Sequence, residues 1–399
     1  MIPSWPTAAR AQEHILMRRS TARILTTHVG ALPGPAQAWG GSATDEELRS
    51  AVRDVVDHQR RCGIDVVNEG ELTKGGNWVA FINSRLGGFE PGADGATFAL
   101  LQDSLDWKEF DDFYRKASEA GTLFEQTHSA PPQMTARYDW VCRGPITYTG
   151  QAALEREIGM LRAALGDHDP ADAFVTTTAP ASIEVGRVNE YYGSEEGFVF
   201  ALADALRVEY ETIAKAGFLV QVDDAWLAAL WDRIGVKMGL DAYKKYCMLR
   251  VEALNHALAN VPEEQVRYHL CWGSWHGPHA HDIELKDIVD IMLAIKAQMY
   301  LFEAANARHE HEYALWEHVD LPEGKILAPG VVTHSTPLIE HPELVAQRIL
   351  RFAGIVGPEN IVASTDCGLG LRCHPQVAWA KLSALAEGAR LASGTLGLS

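Results

Sequence analysis

Two apolar periods alternate along the chain. Short runs rich in β-branched and aromatic residues recur at 24–29, 64–68, 174–178, 218–222, 266–270, 299–302, 325–328 and 360–364. Between most of them lie longer stretches in which apolar residues return every three or four positions, as at 45–62, 197–216, 240–259 and 342–353. The first pattern is that of strands and the second that of amphipathic helices. Eight strand-then-helix units in one chain predict an α/β fold, a closed parallel (β/α)8 TIM barrel spanning 1–399 as a single domain.

Two regions break the repeat. Residues 1–22 form an N-terminal extension with a basic, helical end. Residues 88–150 fill the connection after the second strand, with a helical stretch at 105–122 and a hairpin at 137–149. Insertions of this length commonly build a lid or an oligomer contact, so a homo-oligomer is one expectation. No linker marks a second domain.

Charge narrows the partners. The 53 acidic and 35 basic residues give a net charge of −18, which excludes a basic footprint for nucleic acid and disfavours anionic membranes. A small molecule is the expected partner. The start, Met1-Ile2-Pro3-Ser4-Trp5-Pro6, lacks a charged region followed by an apolar core, and no apolar run reaches spanning length. A cytoplasmic location follows as the expectation, and there the six cysteines suggest metal or catalysis rather than disulfides.

Candidate chemistry collects at the strand ends, which in a parallel barrel open onto one face. These ends read His28-Val29-Gly30-Ala31, Glu69-Gly70-Glu71, Asp223-Asp224, His269-Leu270-Cys271, Glu303, Thr333-His334-Ser335 and Asp366-Cys367-Gly368. His269 and Cys271 lie two apart on a strand and so share a face. With Cys367 they make a His and two Cys around an open position, the donor set of a catalytic zinc site. A lone His-x-Cys reads as buried packing, because Cys is often a small core residue. The convergence of separate strand ends favours metal. Asp223 and Asp224 are adjacent, so one faces the mouth and the other packs; Glu69 and Glu71 pose the same choice.

His269 with Cys271, Glu303 in Leu301-Phe302-Glu303-Ala304-Ala305-Asn306, His334 in Thr333-His334-Ser335 and Cys367 in Asp366-Cys367-Gly368-Leu369 occur in that order. Thr26-Thr27-His28-Val29-Gly30 and Gly70-Glu71 precede them. Over about 22–390 the chain resembles the catalytic domain of the cobalamin-independent methionine synthase family, including its single-barrel methionine synthase II-like relatives. The resemblance implies a barrel of the uroporphyrinogen decarboxylase/methionine synthase type and a zinc-dependent thiol S-methyl- or alkyltransferase. It implies His269, Cys271, Glu303 and Cys367 as zinc ligands, with Glu303 the labile one. His334 is then the proton donor, and Val29, Gly30, Glu71 and Asp223 line the thiol pocket. The chemistry is coherent: a thiol with a pKa of about 8.5 is mostly protonated at neutral pH, and binding to zinc removes that proton.

The chain departs from the family where a Gly-Ser pair would stand, having Gly30-Ala31. The family's folate contacts have no clear match; the stretches there begin at Trp140, Ala181 and Ala229. Methylfolate is therefore disfavoured as the alkyl donor. A corrinoid protein or an epoxide, as in the epoxyalkane:coenzyme M transferases, stays open. A decarboxylase or a zinc hydrolase on the same barrel is a competing class. The first would need an Arg-lined mouth, the second more His and carboxylate ligands. The His276, His279 and His281 cluster reads as substrate contacts or solvated loop. His309 to Glu312 lacks the zinc-protease spacing and reads as the polar start of a helix. Trp272 and Trp275 wall a pocket or pack in the core.

Overall fold

In the computed structural model, residues 17–75, 80–92, 103–123 and 139–398 are described. Among the described residues ten strands form: β1 (Leu25–Thr26), β2 (Leu86–Pro91), β3 (Trp140–Tyr148), β4 (Phe174–Thr178), β5 (Arg187–Asn189), β6 (Leu219–Asp224), β7 (Val266–Leu270), β8 (Met299–Phe302), β9 (Ile326–Val332) and β10 (Val362–Thr365). Seven make one curled parallel sheet in the order β1-β10-β9-β8-β7-β6-β4. Helices such as Asp45–Cys62, Glu195–Lys215, Leu240–Ala257 and Pro342–Val356 connect successive strands, as the 3.6-residue stretches predict. The first of these starts at a capping box, Thr44 with Glu47, and stops at left-handed Gly63. No helix among the described residues is long and apolar enough to cross a membrane.

Strand alternation divides the interior. Val220, Val222, Tyr268, Leu270, Tyr300 and Phe302 join the large core with the helices. Phe174, Leu219, Met299, Leu301, Ile326 and Ala328 make a second cluster. By register, Gln221, Asp223, Arg267 and His269 share this second face. Here the fully buried Arg267 lies 3.8 Å above the Phe174 ring. It donates to Thr27 Oγ1 at 3.0 Å and to the His28 carbonyl at 2.8 Å.

The structure corrects three expectations. Residues 64–68 form no regular strand: Val66 N–H reaches Thr26 O at 3.1 Å, and Val67 makes a single bridge to Ala173. The reason is local, since the Asp65 carboxylate takes the Thr26 N–H that a ladder partner would use, at 2.9 Å. Where a hairpin was expected at 137–149, the described residues from 139 carry one long strand, β3, paired antiparallel with β2 and parallel with β5. The described end of the extension is not helical; it runs under the sheet, with Met17 in the second cluster and Arg19 bonded to Gly324 O at 2.9 Å. Residues 1–16 of the extension, and 93–102 and 124–138 of the insertion, lie outside the described residues.

Candidate metal and thiol site

Register places Asp223 directly beside His269 on the neighbouring strand. Asp223 Oδ1 accepts from His269 Nδ1 at 3.0 Å and from Gln221 Nε2 at 2.8 Å. That bond fixes the tautomer and leaves His269 Nε2 as the free lone pair. Nε2 is buried and has no hydrogen-bond partner. Burial pulls the His269 pKa down, but the Asp223 bond and charge outweigh it and the net shift is upward.

Cys271 follows on the same face. Its sulfur lies 3.9 Å from the Cys367 sulfur, and the donor atoms of His269, Cys271 and Cys367 all fall within 4.8 Å of one another. Zinc–sulfur bonds of about 2.3 Å at a tetrahedral angle separate two sulfurs by about 3.8 Å. An orphaned imidazole nitrogen beside two sulfurs thus fits zinc in donor type and spacing. The two thiols share a hydrogen bond that pushes Cys271 up and Cys367 down, so the pair carries its charge on Cys367.

Glu303 stands at the edge of this group rather than in it. Its Oε1 is 3.9 Å from the Cys271 sulfur but accepts the Trp272 N–H at 3.2 Å, while Oε2 accepts Asn306 Nδ2 at 2.6 Å. Burial lifts its pKa to about 8 against the pull of the His309 charge.

The four residues expected to line the thiol pocket come together. Gln221 bridges the Val29 carbonyl and Asp223. Gly30 has φ +153°, and a Cβ there would collide with Glu71 Oε1. Glycine is needed at this close approach. Glu71 is itself left-handed, at φ 60°, a conformation uncommon for a residue with a side chain. Burial, then the Asp223 charge, raises Glu71 to about 8. Each adjacent pair divides: Asp224 packs against Ser182 and Tyr268, while Glu69 pairs with buried Lys74 at 3.1 Å.

His334 is buried and held well below the ordinary imidazole range, first by burial and then by the Arg372 charge, with His276, His279 and His269 acting in the same sense. The loop after β7 is less solvated than its histidines suggest. His279 Nδ1 and His309 Nε2 both bond Asp282, at 3.0 and 3.2 Å, and the His309 ring lies 4.4 Å from that of Trp272. Trp272 is fully buried and donates to Ile283 O at 2.8 Å, a packing role. The insertion docks on this loop through Asp106, which accepts from Tyr114 OH, His279 N–H and Ala280 N–H at 2.6, 3.0 and 2.8 Å. Asn306, Gln221 and the Asp282 clasp escape the sequence reading, because neutral amides and loop carboxylates carry no spacing signal. The one clue to Asn306 is its place three residues after Glu303.

Residues 176–390 match the model of the cobalamin-independent synthase catalytic domain. A methionine synthase of Thermococcus kodakarensis is 24% identical over 356 residues, covering 88% of this chain and 86% of its own. One from Saccharolobus solfataricus is 24% identical over 388 residues, covering 92% and 94%. The solved B12-independent methionine synthase of a Shewanella species, in complex with selenomethionine, superposes with TM-score 0.69 at 18% identity, covering 95% of this chain and all of that one; this likeness shows the fold. With more than half of its length matched by the family model, this chain belongs to the cobalamin-independent synthase catalytic-domain family, and it is a transferase acting on a thiol.

Proposed function

We infer that the protein is a zinc-dependent methyltransferase whose acceptor is a thiol bearing an ammonium group. The observation that carries this is the pair of carboxylates, Glu71 and Asp223, buried beside His269. His269, Cys271 and Cys367 would hold the zinc, with Glu303 as the exchangeable fourth donor. Zinc there would remove the proton of the acceptor thiol and leave its sulfur able to attack carbon. Asp223 orients His269 and, with Glu71, neutralises the ammonium group. His334 takes up the thiol proton and donates it to the leaving group, a contribution of about 10²- to 10⁴-fold. Val29 and Gly30 give the pocket a backbone wall that admits Glu71. The insertion, docked through Asp106, serves as a lid. Residues 64–68, bonded on both sides, stand as a reduced eighth strand of the barrel. A reducing cytoplasm suits the six cysteines, which form no disulfide. Two acidic groups disfavour an anionic acceptor such as coenzyme M, and so favour methyl transfer over epoxide opening.

Because Glu71 sits at about 8, it must lose a proton to pair with a cation. Its affinity for an ammonium group therefore rises with pH and levels off above that value. The ratio of kcat/KM for homocysteine over 2-mercaptoethanesulfonate should climb as pH rises through about 8. Glu71→Gln should lower the plateau ratio about tenfold, the worth of a charged hydrogen bond, and flatten the profile. An unchanged ratio and profile in that variant would remove the assignment of Glu71.

A further inference from the structure

The Asn306 amide is the strongest contact of Glu303, and the roles above leave it unused. Its orientation is determined: Oδ1 takes the backbone N–H groups of Arg308 and His309 at 3.0 and 3.1 Å. Nδ2 must then face the carboxylates. It reaches Glu303 Oε2 at 2.6 Å and Asp366 Oδ2 at 3.3 Å. Asp366 is anchored in turn by the Ala304 and Ala305 N–H groups, both at 2.8 Å. The second donor to Glu303, the Trp272 N–H at 3.2 Å, belongs to the residue after Cys271, and Asp366 precedes Cys367. The cradle is therefore built from the immediate neighbours of both thiols. Behind it, His309 is bonded to Asp282 and Glu312 at 3.2 and 2.8 Å, and its ring packs on Trp272.

A carboxylate that gives up a cation in a buried site must find other donors or meet the full cost of desolvation. We propose that Asn306 Nδ2 and the Trp272 N–H form a resting cradle for Glu303, so that Asn306 is a positioning residue governing how readily a thiol replaces that carboxylate. This rests on the zinc reading of His269, Cys271 and Cys367. Losing the Asn306 bond leaves Glu303 in competition with the incoming thiol, and thiol entry weakens about tenfold, the worth of one charged hydrogen bond.

Asn306→Ser tests it. The shorter side chain keeps an oxygen near the Arg308 and His309 N–H groups but cannot reach Glu303; Asn306→Ala serves as a second variant. Cobalt-substituted holoenzyme is titrated with 2-mercaptoethanol while sulfur-to-cobalt charge-transfer absorption is followed. Metal affinity of the thiol-free protein is measured separately by chelator competition. Both Asn306 variants should need about tenfold more thiol for half the absorbance change, with metal held as firmly as in the parent or more so. Glu303→Gln should move both readouts the other way, needing less thiol and losing metal more easily. An unchanged thiol requirement in the Asn306 variants, or metal lost from them more easily, overturns the cradle. A parent protein that shows no sulfur-to-cobalt absorption overturns the metal reading beneath it.

Discussion

Protein carrying Cys271→Ala and Cys367→Ala should purify without zinc and lose about 10³-fold or more of its thiol-alkylating activity. Two of the three clustered donors disappear, and His269 alone cannot hold zinc against water. The acceptor thiol then keeps its proton at neutral pH, since its pKa returns to about 8.5, and it also loses its fixed position. Overall stability should change far less. Cys367 is half-buried and Cys271 is a small side chain, so each loss costs at most a modest cavity. Elemental analysis of the purified variant, with thermal unfolding beside it, checks both parts. Zinc retained at the parent level would exclude the pair as ligands.

The largest effect on stability is expected at Lys74, three residues beyond Glu71. Its side chain is 1% exposed and pairs with Glu69 and Glu157, whose side chains are 0% and 1% exposed. Arg85 continues the network, to Glu157 at 2.8 Å and Glu209 at 3.1 Å, and Glu209 holds Tyr148 and Thr177. Lys74→Met leaves two buried carboxylates facing each other, at a cost of about 3–5 kcal/mol. The two partners are shifted in opposite directions: burial lifts the Glu69 pKa against the pull of Lys74, so the pH dependence follows Glu157. Burial opposes the charge on Glu157, yet Lys74 and Arg85 outweigh it and hold its pKa below the ordinary carboxylate value. Such a group stabilises the fold above the unfolded pKa of about 4.3 and loses that contribution as pH falls. In the variant the carboxylates protonate more readily. The deficit in urea unfolding should therefore be greatest near neutrality and above, and shrink as pH falls toward about 4.3 and below it. A deficit under about 1 kcal/mol at pH 7 would show that the network is not held by this charge.

Much of this was legible before any coordinates. Strands β4, β7 and β8 begin and end where the apolar runs do, because in a parallel sheet both strand faces are buried and the run is continuous. His269 and Cys271 were legible as neighbours, since spacing on a strand fixes which side chains share a face; the proximity of Cys367, whose sulfur lies 3.9 Å from that of Cys271, comes from a different strand end. Residues 64–68 misled for a physical reason: the run is apolar enough for a strand, but Asp65 diverts its hydrogen bonds. The β2–β3 pairing was hidden because its partners are some fifty residues apart, and only tertiary packing joins them. His334 stood out in the sequence as a strand-end residue, but the lowering of its pKa was not legible, as it depends on burial and on cations from other loops. The Asn306 cradle and the Asp282 clasp depend on backbone direction within loops, which residue pattern does not encode.

On the reading proposed above, His269, Cys271 and Cys367 hold a zinc whose shell admits the acceptor's sulfur. Zinc-edge X-ray absorption on the purified protein, recorded with and without homocysteine, tests it most directly. Without thiol the shell should hold two sulfurs at about 2.3 Å with nitrogen or oxygen completing it; with thiol a third sulfur should enter at the expense of an oxygen. A protein without bound zinc, or a two-sulfur shell that homocysteine leaves unchanged, would contradict the account.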